Sequence, residues 1–159
     1  MFREIRRKDR LVSQETGIEC LKKFTYGVLS VIGDDDYPYG VPVNFAYVDN
    51  CIYIHCFLDG HKVDAIKKHP KVCFTAVDDV EVMTDQISTN YTSVIVFGKA
   101  ELNPPPENKE RQTAFAAIMA KYIPNDEERT LEYTRENEMN TNLIKISIEH
   151  MTCKLRNIQ

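Results

Sequence analysis

Residues 53–74, Tyr-Ile-His-Cys-Phe-Leu-Asp-Gly-His-Lys-Val-Asp-Ala-Ile-Lys-Lys-His-Pro-Lys-Val-Cys-Phe, read as strand, glycine turn, basic helix start, proline stop and strand again. One short helix is thereby held between two strands of a sheet. The turn can also receive an anion. Gly60 lets the backbone turn closely, and a helix beginning near His61 aims unpaired N–H groups and its positive dipole end outward; Lys62 adds a full charge. A phosphate-bearing ligand suits such a place. The plainer reading treats Asp59-Gly60 as an ordinary turn and His61, Lys62, Lys67 and Lys68 as a solvated helix face.

The flanking segments are mostly strands. Ser13 can cap a short helix over about 14–24, with Ile18, Leu21 and Phe24 on one face. From Tyr26 the period changes: Val28, Ser30 and Ile32 lead through Gly33-Asp34-Asp35-Asp36 into a second strand over Tyr39–Tyr47, and a turn at Asp49-Asn50 leads into Cys51–Phe57. Pro42 cannot donate a ladder bond, so the second strand belongs at an edge or a bulge. After the 61–69 helix, Pro70 precedes a fourth strand over 72–82, and Thr92–Leu102 forms a fifth. Pro104, Pro105 and Pro106 stop that strand and start a helix over about 107–122, with Phe115, Ile118, Met119 and Tyr122 on one side. Residues 124–142 are polar and carry no clear period, and 143–151 form a sixth strand, alternating up to Ile148. No repeat or low-complexity tract is present. The pattern predicts a mainly β fold, a six-stranded antiparallel split β-barrel with flanking helices. The irregular helix spacing and the lack of GxGxxG argue against a Rossmann sheet, and no phosphate loop of the GxxxxGK[ST] type occurs.

At 159 residues, the chain suits a single domain spanning 1–159, a size that buries roughly 70% of its unfolded surface without staples. Its net charge of −4 gives no reason to expect nucleic acid or an anionic membrane as partner. Locally, Arg3, Arg6, Arg7, Lys8 and Arg10 make the first ten residues basic, either as a solvated arm or as one that packs beside a ligand or partner subunit. Cys20, Cys51, Cys56, Cys73 and Cys153 form no CxxC or CxxH pair, which argues against disulfide and zinc frameworks; no metal site is expected. The start of the chain has no apolar signal region and no run of eighteen apolar residues occurs, so a soluble, cytoplasmic protein is expected.

Several segments taken in order carry a family resemblance. They are Arg6-Arg-Lys-Asp-Arg10, Tyr37-Pro-Tyr-Gly-Val-Pro-Val-Asn-Phe45, Ile52-Tyr-Ile-His55, Gly60-His-Lys62, His69-Pro-Lys-Val-Cys-Phe74, Tyr91-Thr-Ser-Val-Ile95 and Phe97-Gly-Lys-Ala-Glu101. Through them the chain resembles the 5-nitroimidazole-resistance (Nim) family within the pyridoxamine 5′-phosphate oxidase-like, flavin-binding split-barrel proteins. The resemblance implies a homodimer with flavin, FMN by default and FAD as the alternative, at the subunit interface. It implies that Pro42, Val43 and Asn44 line the isoalloxazine edge, that His55 sits close to the ring or substrate pocket, and that His61 and Lys62 beyond the Gly60 turn hold the phosphate. Ser93 and Ile95 match positions near the dimer contact and the flavin. Relatives often carry Arg or Lys where His61 stands, so Lys62 is the firmer phosphate ligand.

Read as chemistry, these residues offer what a flavin needs: backbone donors and acceptors, an apolar surface and positive charge. Asn44 could equally be an amide bonded to neighbouring backbone, and His55 a satisfied core histidine; His69 and His150 have no partner that spacing identifies. The expected activity is a flavin-dependent oxidoreductase reducing a nitroimidazole or another small electrophile, with His55 as catalytic residue. The alternatives are a non-catalytic flavin-binding or flavin-sensing dimeric barrel, and a structural dimer with a vestigial site.

Overall fold

A computed structural model describes residues 2–102, 109–137 and 141–158. Eight antiparallel strands form one curled sheet, a half-barrel flanked by helices, so the chain is mainly β as expected. The strands are β1 (Leu11–Val12), β2 (Tyr26–Ile32), β3 (Pro38–Asn44), β4 (Ala46–Val48), β5 (Cys51–Phe57), β6 (Lys71–Met83), β7 (Ser88–Leu102) and β8 (Thr141–Arg156); the helices are α1 (Gln14–Lys23), α2 (His61–Lys68), α3 (Lys109–Tyr122) and α4 (Glu127–Asn137). Strand order is β3-β2-β6-β7-β8-β5-β4, with β1 added to β8. All six expected strands are present.

The two additional strands have local causes. β1 is two residues long, too short to show a period. β4 arises because the segment that reads as one strand over Tyr39–Tyr47 breaks at Phe45: its first part pairs with β2, its second with β5. That break carries the chain from one end of the sheet to the other. Phe45 is fully buried and packs edge-on against Phe74, with ring centroids 4.7 Å apart. The Asp49-Asn50 turn has φ of 46° and 61°, the double left-handed geometry that suits a tight hairpin between β4 and β5. β8 runs well past Met151 because a bulge opposite Phe97 and Gly98 absorbs one residue and restores the inward alternation at Met151 and Cys153. Gly98 is required there: a Cβ would lie 2.3 Å from the Ser147 carbonyl oxygen.

Inside the curl, Leu29, Ile52, Ile54, Phe74, Val94, Val96, Ile144 and Ile146 form the main core. A smaller cluster lies on the outer face of β5 and β8, where α3 lays Ala114, Phe115 and Ile118 on Ala46, Tyr53 and Leu143. The apolar spacing expected for α3 is met, while Pro104–Pro106 and residues 107–108 lie outside the described residues. The polar run after Pro124 contains α4, which has only a faint apolar stripe; its start is signalled by Asp126, whose carboxylate accepts the Arg129 N–H at 3.0 Å. No helix among the described residues is long and apolar enough to cross a membrane.

Candidate functional site

The half-barrel leaves an unpaired gap. β4 pairs with Cys51–Tyr53 only, and the β3 ladder runs only to β2, so among the described residues the β4-side edge of 54–57 and the outer edge of β3 have no strand partner. Backbone donors and acceptors on such edges are available to a ligand. α2 starts just after the end of β5 and beside the start of β3, where His61 meets Tyr39. Gly60, with φ 119°, opens the helix without a side-chain cap, and its carbonyl accepts from Val63 (2.9 Å) and Asp64 (3.1 Å). The amides of His61 and Lys62 come before these bonds, at the positive end of the helix. Lys62 makes no ion pair among the described residues, and its charge is close enough to Cys56 to oppose the upward push that burial gives that thiol.

His61 is engaged elsewhere. Its ring stacks on Tyr39 at 4.3 Å and 14°, and its Nε2 accepts the Asp34 N–H at 3.3 Å. The same Nε2 lies 3.6 Å from the Asp34 carboxylate, so this side chain tethers α2 to the β2–β3 turn. Lys62 is the basic residue at the helix start with no carboxylate partner among the described residues.

His55 lies on the outer face of β5, opposite Leu143 and beside the α3 cluster. Its Nδ1 is buried with no hydrogen-bond partner, and burial holds the imidazole below its ordinary pKa. A buried polar atom without a partner is costly, and a bound group that supplies one would relieve the cost. Pro42 and Asn44 are exposed on the outer face of β3, while Val43 turns inward and packs on the core, leaving its backbone as the part open to a ligand. Asn44 Nδ2 donates to the Thr25 carbonyl at 3.2 Å. Ser93 and Ile95 face outward on β7, in the same sheet face as Pro42 but beyond β2 and β6. Three strand steps of about 4.8 Å separate Pro42 from Ile95 by about 14 Å, too far for both to touch one ring in a single chain.

The structure therefore gathers Gly60, Lys62 and the end of β5 beside β3, with His61 as a brace, and leaves Ser93 and Ile95 apart. Two residues absent from the expected set border the gap: Phe57 and Leu58, 68% and 44% exposed, just before the Asp59-Gly60 turn. Their signal was an apolar pair standing between a strand end and a glycine turn. Among the described residues no group of three or more His, Cys, Asp or Glu could hold a metal.

The profile of the family described as pyridoxamine 5′-phosphate oxidase matches residues 13–155. The chain belongs to the pyridoxamine 5′-phosphate oxidase family. Solved structures show the same fold at low identity. One is a provisionally named 5-nitroimidazole antibiotic resistance protein from Bacteroides thetaiotaomicron, 21% identical, with a TM-score of 0.72 over 91% of this chain and 85% of that one. A FAD-binding protein from Mesorhizobium loti is 23% identical, with a TM-score of 0.65 over 91% and 93%. A FAD- and haem-binding protein from Mycobacterium smegmatis is 20% identical, with a TM-score of 0.74 over 92% and 72%. No curated protein sequence matches. The resemblance to pyridoxamine 5′-phosphate oxidase-like proteins expected from the motifs is met, and a protein named for nitroimidazole resistance stands among those sharing the fold.

Proposed function

We propose that this protein is a homodimeric flavoprotein, a flavin-dependent oxidoreductase that reduces nitroimidazoles or related small electrophiles. The observation that carries the reading is the gap between β3 and β5: unpaired backbone edges and the α2 start with Lys62 border it, and His55, whose buried Nδ1 lacks a partner, stands on the strand that forms one side. These suit the parts of a flavin in turn. Edge amides and carbonyls serve the pyrimidine, Pro42 and Phe57 offer apolar surface to the ring, and Lys62 with the first α2 amides holds a phosphate. A bound flavin supplies the redox chemistry. FMN is the assigned form and FAD the alternative, supported by family membership and by two fold neighbours named as FAD-binding. The nitro-compound substrate is supported by the Bacteroides neighbour's name.

The placement of Ser93 and Ile95 supports the dimer reading. Ile95 lies about 14 Å from Pro42 on one chain and Ser93 lies farther, so they can serve the same flavin as Pro42 only if they come from a second copy. His55, held neutral by burial, is the residue assigned to substrate, where its Nδ1 can donate or accept one hydrogen bond. His55→Ala should keep flavin and dimer yet lose reduction of a nitroaromatic acceptor under strong reductant by about 10²-fold. Unchanged turnover would remove His55 from the chemistry.

A further inference from the structure

The β6–β7 hairpin extends beyond the sheet. β2 pairs with β6 only at Cys73–Thr75, and β8 meets β7 from Tyr91 onward, so the ladder over residues 81–90 joins those two strands alone. An irregularity between Asp78 and Glu81, with Asp79 at φ 54°, sets this ribbon off from the rest. A bare two-stranded ribbon is marginal in water. This one displays Val80, Val82 and Ile87 at 60%, 69% and 95% exposure, and Ile87 holds φ 47°, a strained conformation for a β-branched residue. Val80 and Val82 continue an outward apolar set that includes Val77, Val28 and Tyr26.

Its charge is one-sided. Asp78, Glu81 and Asp85 make no ion pair among the described residues, whereas Asp79 is held by Lys23 at 2.8 Å. At the same end of the sheet, on the other side of β7, the charge is positive. Arg10 reaches the Tyr91 hydroxyl at 3.4 Å, Arg156 lies opposite Tyr91, and β1 brings the N-terminal arm alongside Lys154. Arg6, Arg10, Lys154 and Arg156 make no ion pair among the described residues, while Arg7 is bound to Asp9.

An acidic apolar ribbon beside a basic edge is self-complementary about a two-fold axis, because the ribbon of one copy meets the arm of the other and the reverse. We infer that the ribbon around residues 79–90 docks on the basic edge formed by the N-terminal arm and the end of β8 in a second copy of this chain. This assignment rests on the homodimer reading above and names the surface that joins the copies.

Sedimentation velocity at micromolar concentration tests it with two charge-reversed variants, E81K/D85K and R6E/R10E. Each alone sets like charges against each other at both contacts, so each should raise the dimer Kd roughly hundredfold or more. In an equimolar mixture, the mixed dimer pairs a reversed ribbon with a reversed arm at one contact and a wild-type ribbon with a wild-type arm at the other, so mixing should restore the dimer. Should either double variant lose its cooperative melt, D85K and R6E carry the same mixing test. Variants that dimerise like wild type, or that stay monomeric when mixed, overturn the ribbon assignment alone. A monomeric wild type overturns the homodimer reading itself.

Discussion

Lys62 and His61 are neighbours with different surroundings, and the difference decides which can hold an anion. The His61 ring is stacked on Tyr39 and its Nε2 faces the Asp34 amide, whereas Lys62 has no carboxylate partner among the described residues. Lys62→Ala should therefore weaken FMN by about 1.5–3 kcal/mol, a ten- to hundredfold rise in Kd. Riboflavin, which lacks the phosphate, should bind nearly as before. Titrating wild type and variant with both ligands checks this; equal weakening would mean damage to the fold. A second lysine gives a pH prediction. Lys121 lies over the Phe45 ring at 3.8 Å and donates to the Leu21 carbonyl at 3.0 Å, and burial pushes its pKa down to about 8. Because the folded value lies below the unfolded one, the unfolded chain binds more protons between the two, and stability from this group rises with pH across that window. The unfolding free energy of wild type relative to Lys121→Met should thus increase from pH 7 to pH 10 by chemical denaturation. A flat difference would show that the ammonium remains hydrated.

At the scale of elements, one phenol on α3 bonds the barrel wall where β3 passes into β4. The Tyr122 hydroxyl accepts the Phe45 N–H at 2.9 Å, and its single proton faces the carbonyls of Phe45, at 3.0 Å, and Thr25. Tyr122→Phe leaves the Phe45 amide without a partner where β3 passes into β4, so it should cost about 1–3 kcal/mol of stability, read as a lowered Tm. A change within a few tenths would mean that water replaces the hydroxyl. This join was not legible in the sequence. Phe45 sits inside a segment that reads as one strand over Tyr39–Tyr47, and nothing local reports that Tyr122, 77 residues later, bonds the chain where the first ladder ends. The parts that were legible depend on local rules. Ser13 caps α1 as its spacing indicates, with its hydroxyl accepting the Thr16 N–H at 3.2 Å, and Asp49-Asn50 makes the expected turn. Gly60 and Lys62 fall at the α2 start because turn, helix and proline stop are adjacent in the chain. The outward placement of Ser93, far from Pro42, depends on strand order, and single-strand alternation does not contain it. The alternation of β8 failed at Glu149 for a similar reason: the bulge answers to Gly98 on another strand.

For the whole molecule, the half-barrel places the expected ligand residues in two groups on one outer face. The gap between β3 and β5 holds Pro42, Asn44, Lys62 and His55 nearby, and β7 holds Ser93 and Ile95 at a distance. A second copy would unite them, so dimerisation and flavin affinity should be linked. Ser93→Arg, aimed outward from β7, should weaken both together, as read by sedimentation and by titration of the same sample. Loss of one without the other would separate the two groups. The most direct measurement is the visible spectrum of the purified protein after saturation with FMN and removal of excess, with the released chromophore counted per chain and identified by mass. The account predicts one flavin per chain and a rise in unfolding free energy of about 2.7 kcal/mol when FMN stands at a hundred times its Kd. A colourless protein whose melt is unmoved by excess FMN or FAD would contradict it.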